Sequence, residues 1–133
     1  GHVLMEHYGD RDGDADINVG YIGSYPIAEV KRHVSAFKLG LEVFCPRCKV
    51  IMPYLLTWHS EVNEHCATKS LFEEYNIKGI AQNTDSSAPQ IFINEMSTVT
   101  EPLFGIGGYS DMSLIAGEQT ISGVAPRWGT AFT

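Results

Sequence analysis

Two cysteines separated by two residues are the side chains of this sequence with the most evident chemistry. They lie in the stretch Phe44-Cys45-Pro46-Arg47-Cys48-Lys49-Val50-Ile51-Met52-Pro53. In a chain with three cysteines, such a pair is more often redox-active or metal-binding than a structural cross-link. The spacing therefore predicts thiol–disulfide exchange, in which Cys45 attacks a disulfide and Cys48 resolves the mixed disulfide.

The residues after the cysteines predict a helix that holds Cys45 at its N-terminus. Apolar side chains recur there at three- and four-residue spacing, at Val50, Ile51, Tyr54, Leu55, Trp58 and Val62. Pro46 suits the first helical turn, because its missing N–H is not needed there. A helix N-terminus favours the thiolate over the thiol, and Arg47 adds a nearby cation. We therefore expect Cys45 to be the nucleophile.

Two segments downstream of the cysteines also have distinctive sequences. They are Ser87-Ala88-Pro89-Gln90-Ile91-Phe92-Ile93 and Ile106-Gly107-Gly108-Tyr109-Ser110-Asp111. The first resembles the T-V-P-Q-V-F-I segment of glutaredoxins and the second resembles their I-G-G-x-[SD]-D segment. The C-P-x-C pair is the form found in dithiol glutaredoxins, and Lys49 with Pro53 resembles the thioredoxin pattern. This resemblance, over residues 34–116, implies an α/β thioredoxin-like fold with a mixed central sheet flanked by helices.

The resemblance also implies a glutathione site. The residues implied in binding are Arg47, Lys49, Ala88, Pro89, Gly108, Ser110 and Asp111. Pro89 would follow a cis peptide bond beside the dithiol, and the backbone of Ala88 would pair with the bound glutathione or peptide. Ser110 and Asp111 would hold the γ-glutamyl group. Because Glu42 stands where glutaredoxins usually have a lysine, other cations would have to bind the glutathione carboxylate.

The implied function is that of a glutathione-dependent disulfide oxidoreductase with disulfide-containing proteins as clients. Ribonucleotide reductase is a frequent client of small glutaredoxins and thioredoxins. Two alternatives remain open. One is a thioredoxin-like reductase of protein disulfides that does not bind glutathione. The other is a non-catalytic zinc or iron–sulfur site, because Cys45, Cys48, His59, His65 and Cys66 supply soft ligands.

Length and composition favour a single domain. The chain has 133 residues, of which 44% are hydrophobic and 19% are charged, as in ordinary globular proteins. A net charge of -7 argues against nucleic acid as a partner, because a surface that follows phosphates needs basic residues. No apolar run reaches membrane-spanning length and no secretory signal begins the sequence. We expect a cytoplasmic monomer that binds neither membranes nor nucleic acid.

The remaining patterns predict the elements that position the cysteines. Strands are predicted at residues 17–23, 34–39, 90–93 and 103–106, the last two joined as a hairpin, and short helices at residues 70–75 and 112–116. Residues 1–33 would form an N-terminal extension and residues 117–133 an irregular tail. In an alternative, residues 17–23 form the strand before the active site, and a helical insertion extends to Phe44. Residues 59–70 show no strand pattern.

Overall fold

A five-stranded parallel sheet forms the centre of the protein. The computed structural model describes residues 1–11 and 15–131. The strands are β1 (Ile17–Ile22), β2 (Cys48–Ile51), β3 (Gly79–Gln82), β4 (Phe104–Gly108) and β5 (Thr120–Val124). Their order in the sheet is β2-β1-β3-β4-β5, and all four neighbouring pairs are parallel. This is the strand order of flavodoxin-like, doubly wound α/β domains.

Helices connect the strands and cover the sheet. They are α1 (His2–Tyr8), α2 (Ala28–Phe44), α3 (Glu61–Tyr75), α4 (Ala88–Met96), α5 (Ser113–Ala116) and α6 (Trp128–Ala131). The connection through α2 runs in one direction along the sheet, whereas those through α3 and α4 run in the other. Because crossovers between parallel strands are right-handed, α2 lies on one face while α3 and α4 lie on the other. None of the helices in the described part of the chain has the length and apolar character needed to cross a membrane.

The central strands, β1 and β3, are buried on both faces of the sheet. All four residues of β3 and five of the six residues of β1 are buried, as expected for parallel strands covered on two sides. One apolar cluster lies beneath α1 and α2 and contains Leu4, Tyr8, Ile17, Val19, Leu41, Cys45 and Cys48. The second lies beneath α3 and α4 and contains Ile22, Leu71, Ile77, Ile80, Phe92, Ile93 and Leu103.

The expected α/β class, with a central sheet flanked by helices, is confirmed. The direction of the strands differs from the expected mixed sheet, because every pair in the described residues is parallel. Residues 90–93 lie inside α4 instead of forming one strand of a hairpin. Pro89 is in the first turn of that helix, where proline is favoured. β4 confirms the strand predicted at residues 103–106, except that its neighbours are parallel.

The predicted extension and tail both contribute strands to the sheet. β1 belongs to residues 1–33 and pairs with two neighbours, so this segment is part of the core. β5 belongs to residues 117–133 and is the outermost strand on one side of the sheet. Residues 132 and 133 lie outside the described part. Residues 34–39 form the middle of α2, not a strand. The alternative in which a helix extends to Phe44 is therefore confirmed.

The segment from residue 59 to residue 70 belongs to a long helix. Ser60 caps α3, and its Oγ accepts a hydrogen bond from the Asn63 N–H at 3.3 Å. The helix ends at Asn76, whose φ of 50° is the left-handed conformation common after helices. The predicted capping box at Ser70 lies in the middle of this helix. Residues 61–70 lack a strand pattern because they are helical.

Candidate functional site

Cys45 and Cys48 form a disulfide, but not at a helix N-terminus. Cys45 caps the C-terminus of α2, where its N–H donates to the Leu41 carbonyl at 2.9 Å, and Cys48 is the first residue of β2. The predicted helix after the cysteines is therefore wrong. The C-terminus of a helix carries the negative end of the dipole, which disfavours a thiolate. The backbone around Cys45 thus lacks the feature that was expected to activate it.

The disulfide is buried. Cys45 has 0% of its surface exposed and Cys48 has 4%. Both pack in the cluster that α1 covers with Leu4 and Tyr8. Thiol–disulfide exchange requires a thiolate to reach a sulfur atom directly. In this conformation the pair is a cross-link between the end of α2 and the start of β2.

The two predicted cationic site residues are engaged near the disulfide. Arg47 donates from Nη1 to the Gly9 carbonyl at 2.9 Å, which attaches the turn between the cysteines to the segment after α1. Lys49 forms an ion pair with Asp16 at 2.5 Å, and both side chains are largely exposed. The predicted site residues Cys45, Arg47, Cys48 and Lys49 all lie near the start of β2. We call this end of the strands the amino edge of the sheet.

The other predicted site residues lie where the strands end, which we call the carboxyl edge. They are Ala88, Pro89, Gly108, Ser110 and Asp111. Cys48 pairs with Ile17 at the start of β1, whereas Ile22 at the end of β1 pairs with the end of β3. The two edges are therefore roughly 16 Å apart along the strands. The structure does not bring the predicted glutathione residues to the dithiol.

Individual residues of this second group have structural roles. No cis peptide bond occurs in the described part of the chain, so the predicted cis bond before Pro89 is wrong. The Ala88 N–H donates to Ser86 Oγ at 3.0 Å. Asp111 accepts a hydrogen bond from the Ser113 N–H at 3.2 Å, as expected for a residue that supports the start of α5. Ser110 and Asp111 are exposed.

The carboxyl edge has the geometry of a ligand-binding site. In doubly wound sheets, ligands bind outside the carboxyl ends of the strands, at the point where the connections diverge to opposite faces. In this chain that point lies between β1 and β3, because α2 follows β1 on one face and α4 follows β3 on the other. The loop after β3, residues 83–87, begins at this point.

Asn83 joins the ends of three strands. Its Oδ1 accepts hydrogen bonds from the Ser24 N–H at 3.3 Å and from the Ser24 hydroxyl at 3.0 Å. Its Nδ2 donates to the Tyr109 hydroxyl at 3.1 Å and lies 3.3 Å from His33 Nδ1. These contacts use both ends of a buried amide. Asn83 therefore organises the carboxyl edge and has no capacity left for a ligand.

Trp58 and Asp85 form a pair that remains available to solvent. The Asp85 N–H donates to the Trp58 carbonyl at 2.8 Å, which places the two residues side by side. Trp58 has 36% of its surface exposed and lies against Tyr25, with ring centroids 5.6 Å apart. The Asp85 side chain is also exposed. The edge thus carries an exposed aromatic residue and an exposed acidic residue on two segments that a backbone hydrogen bond joins.

Two cavities lie along the face of the sheet that α2 covers. One, of about 530 Å³, is lined by Tyr21, His33, Phe37, Asn83, Ile106 and Tyr109 among others, and the second, of about 400 Å³, extends it past Leu41 and Phe104. Both are bounded by Phe37 and Ile106. Parallel sheets are normally covered on both faces, and here α2 leaves β4 and β5 uncovered. The cavities are therefore gaps in the cover of the sheet. The larger one is also lined by polar side chains besides Asn83, among them Glu29, His33 and Ser122.

Sequence reasoning missed the Trp58–Asp85 pair. Trp58 was assigned to the apolar stripe of a helix, and residues 83–87 were treated as a polar loop. The available signal was the position of that loop directly after the buried run Gly79–Gln82, because polar residues after a buried parallel strand lie at the carboxyl edge.

Among residues 1–11 and 15–131, no three side chains of His, Cys, Asp or Glu come together as metal ligands.

Comparison with known proteins identifies one distant relative. No family model matches the sequence. Over 110 residues the chain is 29% identical to a purine-binding protein of Brucella abortus (strain 2308). The aligned residues make up 83% of this chain and 30% of that protein. The chain therefore spans less than a third of the length of the curated relative that it matches.

Proposed function

We propose that this chain binds a purine, as the base or the nucleoside, at the carboxyl edge of its sheet. The observation that carries the proposal is that an exposed tryptophan, Trp58, and an exposed acidic residue, Asp85, lie on two segments of this edge that a backbone hydrogen bond joins. The proposal is also supported by the similarity to a protein whose name describes purine binding. The doubly wound strand order favours this edge over the rest of the surface.

The pair matches the two recognisable features of a purine. A flat bicyclic base stacks on an indole ring, and such stacking contributes about 1–3 kcal/mol for each base. A carboxylate accepts hydrogen bonds from ring N–H, exocyclic amino or ribose hydroxyl groups, and charged acceptors form the stronger bonds. The backbone N–H of Asp85 is already bonded to Trp58, so its carboxylate is the group that remains for the ligand.

Titration calorimetry with adenine, guanine, adenosine and guanosine tests the proposal, with uridine as the pyrimidine control. Trp58→Ala should weaken purine binding by about 5- to 150-fold, the equivalent of the stacking energy. Asp85→Asn should weaken it by about tenfold, because the charged acceptor is lost. Trp128→Phe serves as the matched control and should bind as the wild type does. Purine binding that survives Trp58→Ala and is lost in Phe37→Ala would move the site to the cavity and contradict the proposal.

Thiol–disulfide exchange is the second candidate function, and the disulfide between Cys45 and Cys48 favours it. The resemblance to glutaredoxins, the binding of glutathione and the action on protein disulfides stay predictions. The assay is turnover of a glutathione mixed disulfide by the wild type, Cys45→Ser and Cys48→Ser. Activity that is lost in Cys45→Ser and kept in Cys48→Ser would support a glutathione-dependent enzyme. Activity on protein disulfides alone would support the thioredoxin-like alternative.

The predicted cytoplasmic location bears on this second candidate. Disulfides persist in oxidising compartments and are usually transient in the cytoplasm. Trapping thiols with an alkylating reagent at the moment of cell lysis, followed by mass measurement, reports the state of Cys45 and Cys48 in the cell. A reduced pair fits a cytoplasmic reductant, whereas a fully oxidised pair fits a permanent cross-link in an oxidising compartment.

A further inference from the structure

Glu64 is a carboxyl group that neither candidate function uses, and it has no exposed surface. Its Oε2 accepts a hydrogen bond from the Ser60 N–H at 2.8 Å. The side chain of Thr84 and the backbone of Ser86 face the same carboxyl. Its Oε1 is buried without a hydrogen-bond partner among the described residues. Fully buried glutamates are rare unless paired, and a buried oxygen that lacks a partner requires an explanation.

Glu64 lies between the segment that carries Trp58 and the loop that carries Asp85. Ser60 lies two residues after Trp58, and Thr84 and Ser86 are the two neighbours of Asp85. Glu64 therefore contacts both of the segments that carry the exposed pair, from beneath. Thr84 and Ser86 are themselves buried. Gln82 Nε2 donates to the carbonyls of both residues, so Gln82 holds the loop on the β3 side and Glu64 faces it on the α3 side. Without that carboxylate, the hydrogen bond between Trp58 and Asp85 is the main link across this part of the edge.

We propose that Glu64 is a positioning residue for the purine site, whose buried carboxylate fixes Asp85 relative to Trp58 and releases it on protonation. This inference rests on the proposed function. A protonated carboxyl keeps one good acceptor oxygen instead of two, so it cannot hold both the start of α3 and the loop after β3 equally well. Purine affinity should therefore depend on the ionisation of a group that does not touch the ligand.

The surroundings of Glu64 set the direction of the pH dependence. Burial raises the pKa of Glu64 above its ordinary value, and the nearby polar groups of Thr84, Ser60 and Ser86 and the charge of His59 oppose that shift. His59, before the helix cap, is a charged group close enough to act on Glu64. As the pH falls, Glu64 gains its proton at a higher pH than an exposed glutamate. Purine affinity should fall with it, before the exposed carboxylates titrate.

The experiment measures purine affinity from roughly pH 4 to pH 8, a range that begins near the ordinary pKa of glutamate and extends past that of histidine. Glu64→Gln should bind about tenfold more weakly than the wild type near neutral pH, and its affinity should not change with pH. Its urea midpoint should equal or exceed that of the wild type, because a neutral amide is easier to bury than a carboxylate. Glu61→Gln, an exposed substitution in the same turn of α3, is the matched control. His59→Gln should move the profile to higher pH, because the charge of His59 lowers the pKa of Glu64.

A measurement without ligand separates this inference from the purine proposal. With Trp128→Phe in the background, Trp58 is the sole tryptophan, and its emission reports its surroundings directly. Emission that changes with pH in this background and is constant in Glu64→Gln would support the positioning role, even if no purine binds. Emission that follows the same profile in both proteins would overturn it. So would purine affinity that varies with pH equally in the wild type and in Glu64→Gln.

Discussion

Reduction of the Cys45–Cys48 disulfide should lower the free energy of unfolding by about 2 kcal/mol. The two cysteines are separated by 3 positions in the sequence, so the bond closes a loop of about four residues. In the chain-entropy description, a loop of this length removes about 6 cal/mol/K from the unfolded ensemble, which is about 2 kcal/mol at 25 °C. The value is small for a disulfide because the loop is short.

Urea unfolding followed by circular dichroism, with and without reductant, measures this difference. With a slope of about 1–3 kcal/mol per molar urea, the midpoint should fall by about 1 M. The double substitution of both cysteines by alanine should lower the unfolding free energy further, by about 1 kcal/mol for each buried sulfur. Cys66→Ser is the control, because Cys66 is free and exposed, and it should leave the midpoint unchanged.

The rate of reduction decides between a structural and a catalytic disulfide. Because both sulfurs are buried beneath α1, we expect the folded protein to resist reductant at concentrations that reduce the unfolded protein at once. Rapid reduction of the folded protein, with an unchanged urea midpoint, would refute the buried cross-link. It would also make thiol–disulfide exchange the first candidate function.

Three further predictions concern the sheet and its edges. Gly108→Ala should lower the free energy of unfolding by several kcal/mol in urea, because the added Cβ would lie 2.7 Å from the Gln82 carbonyl oxygen. Gly40→Ala is the matched control. Nothing lies within 4 Å of a Cβ added there, so this substitution should stabilise α2 by about 1 kcal/mol. Asn83→Ala should lower the unfolding free energy by about 2 kcal/mol, because buried polar groups lose their partner. Burial raises the pKa of Tyr8 from 10.0 to about 12, so stability should be complete below pH 10 and fall as the pH rises towards 12. Tyr8→Phe should reduce that alkaline loss in urea midpoints measured across this range. Part of the loss should remain, because burial also raises the pKa of Tyr21 and of Tyr109.

Sequence patterns predicted those parts of the fold that local composition determines. The α/β class and the strands at β1 and β4 follow from short apolar runs, which act over a few residues. The helix predicted after Cys48 was wrong because the apolar spacing of that segment fits both a helix and a strand followed by a packed loop. Pro53 was placed inside the predicted helix as part of the thioredoxin pattern, although an interior proline kinks or breaks a helix.

The candidate site was harder to predict because its parts meet only in the folded chain. Trp58 lies between β2 and α3, and Asp85 lies between β3 and α4, so their proximity depends on the order of the strands. The strand β3 is four residues long and contains Gly79 and Gln82, which gives a weak strand signal. The buried partner Glu64 occupies a helical segment whose sequence suggests a fully solvated surface. Tertiary packing, not local propensity, determines all three positions.

The two functional hypotheses concern opposite edges of one sheet, so their energies should add. Purine at 100 times its Kd should raise the free energy of unfolding by about 2.7 kcal/mol, slightly more than reduction of the disulfide removes. Perturbations farther apart than about 7–10 Å usually add, and the edges are roughly 16 Å apart along the strands. Reduced protein with saturating purine should therefore unfold near the urea midpoint of oxidised protein alone, with an unchanged Kd. A Kd that shifts on reduction would mean that α2 or β1 transmits the state of the disulfide to the ligand edge, and the two hypotheses would then describe one coupled device.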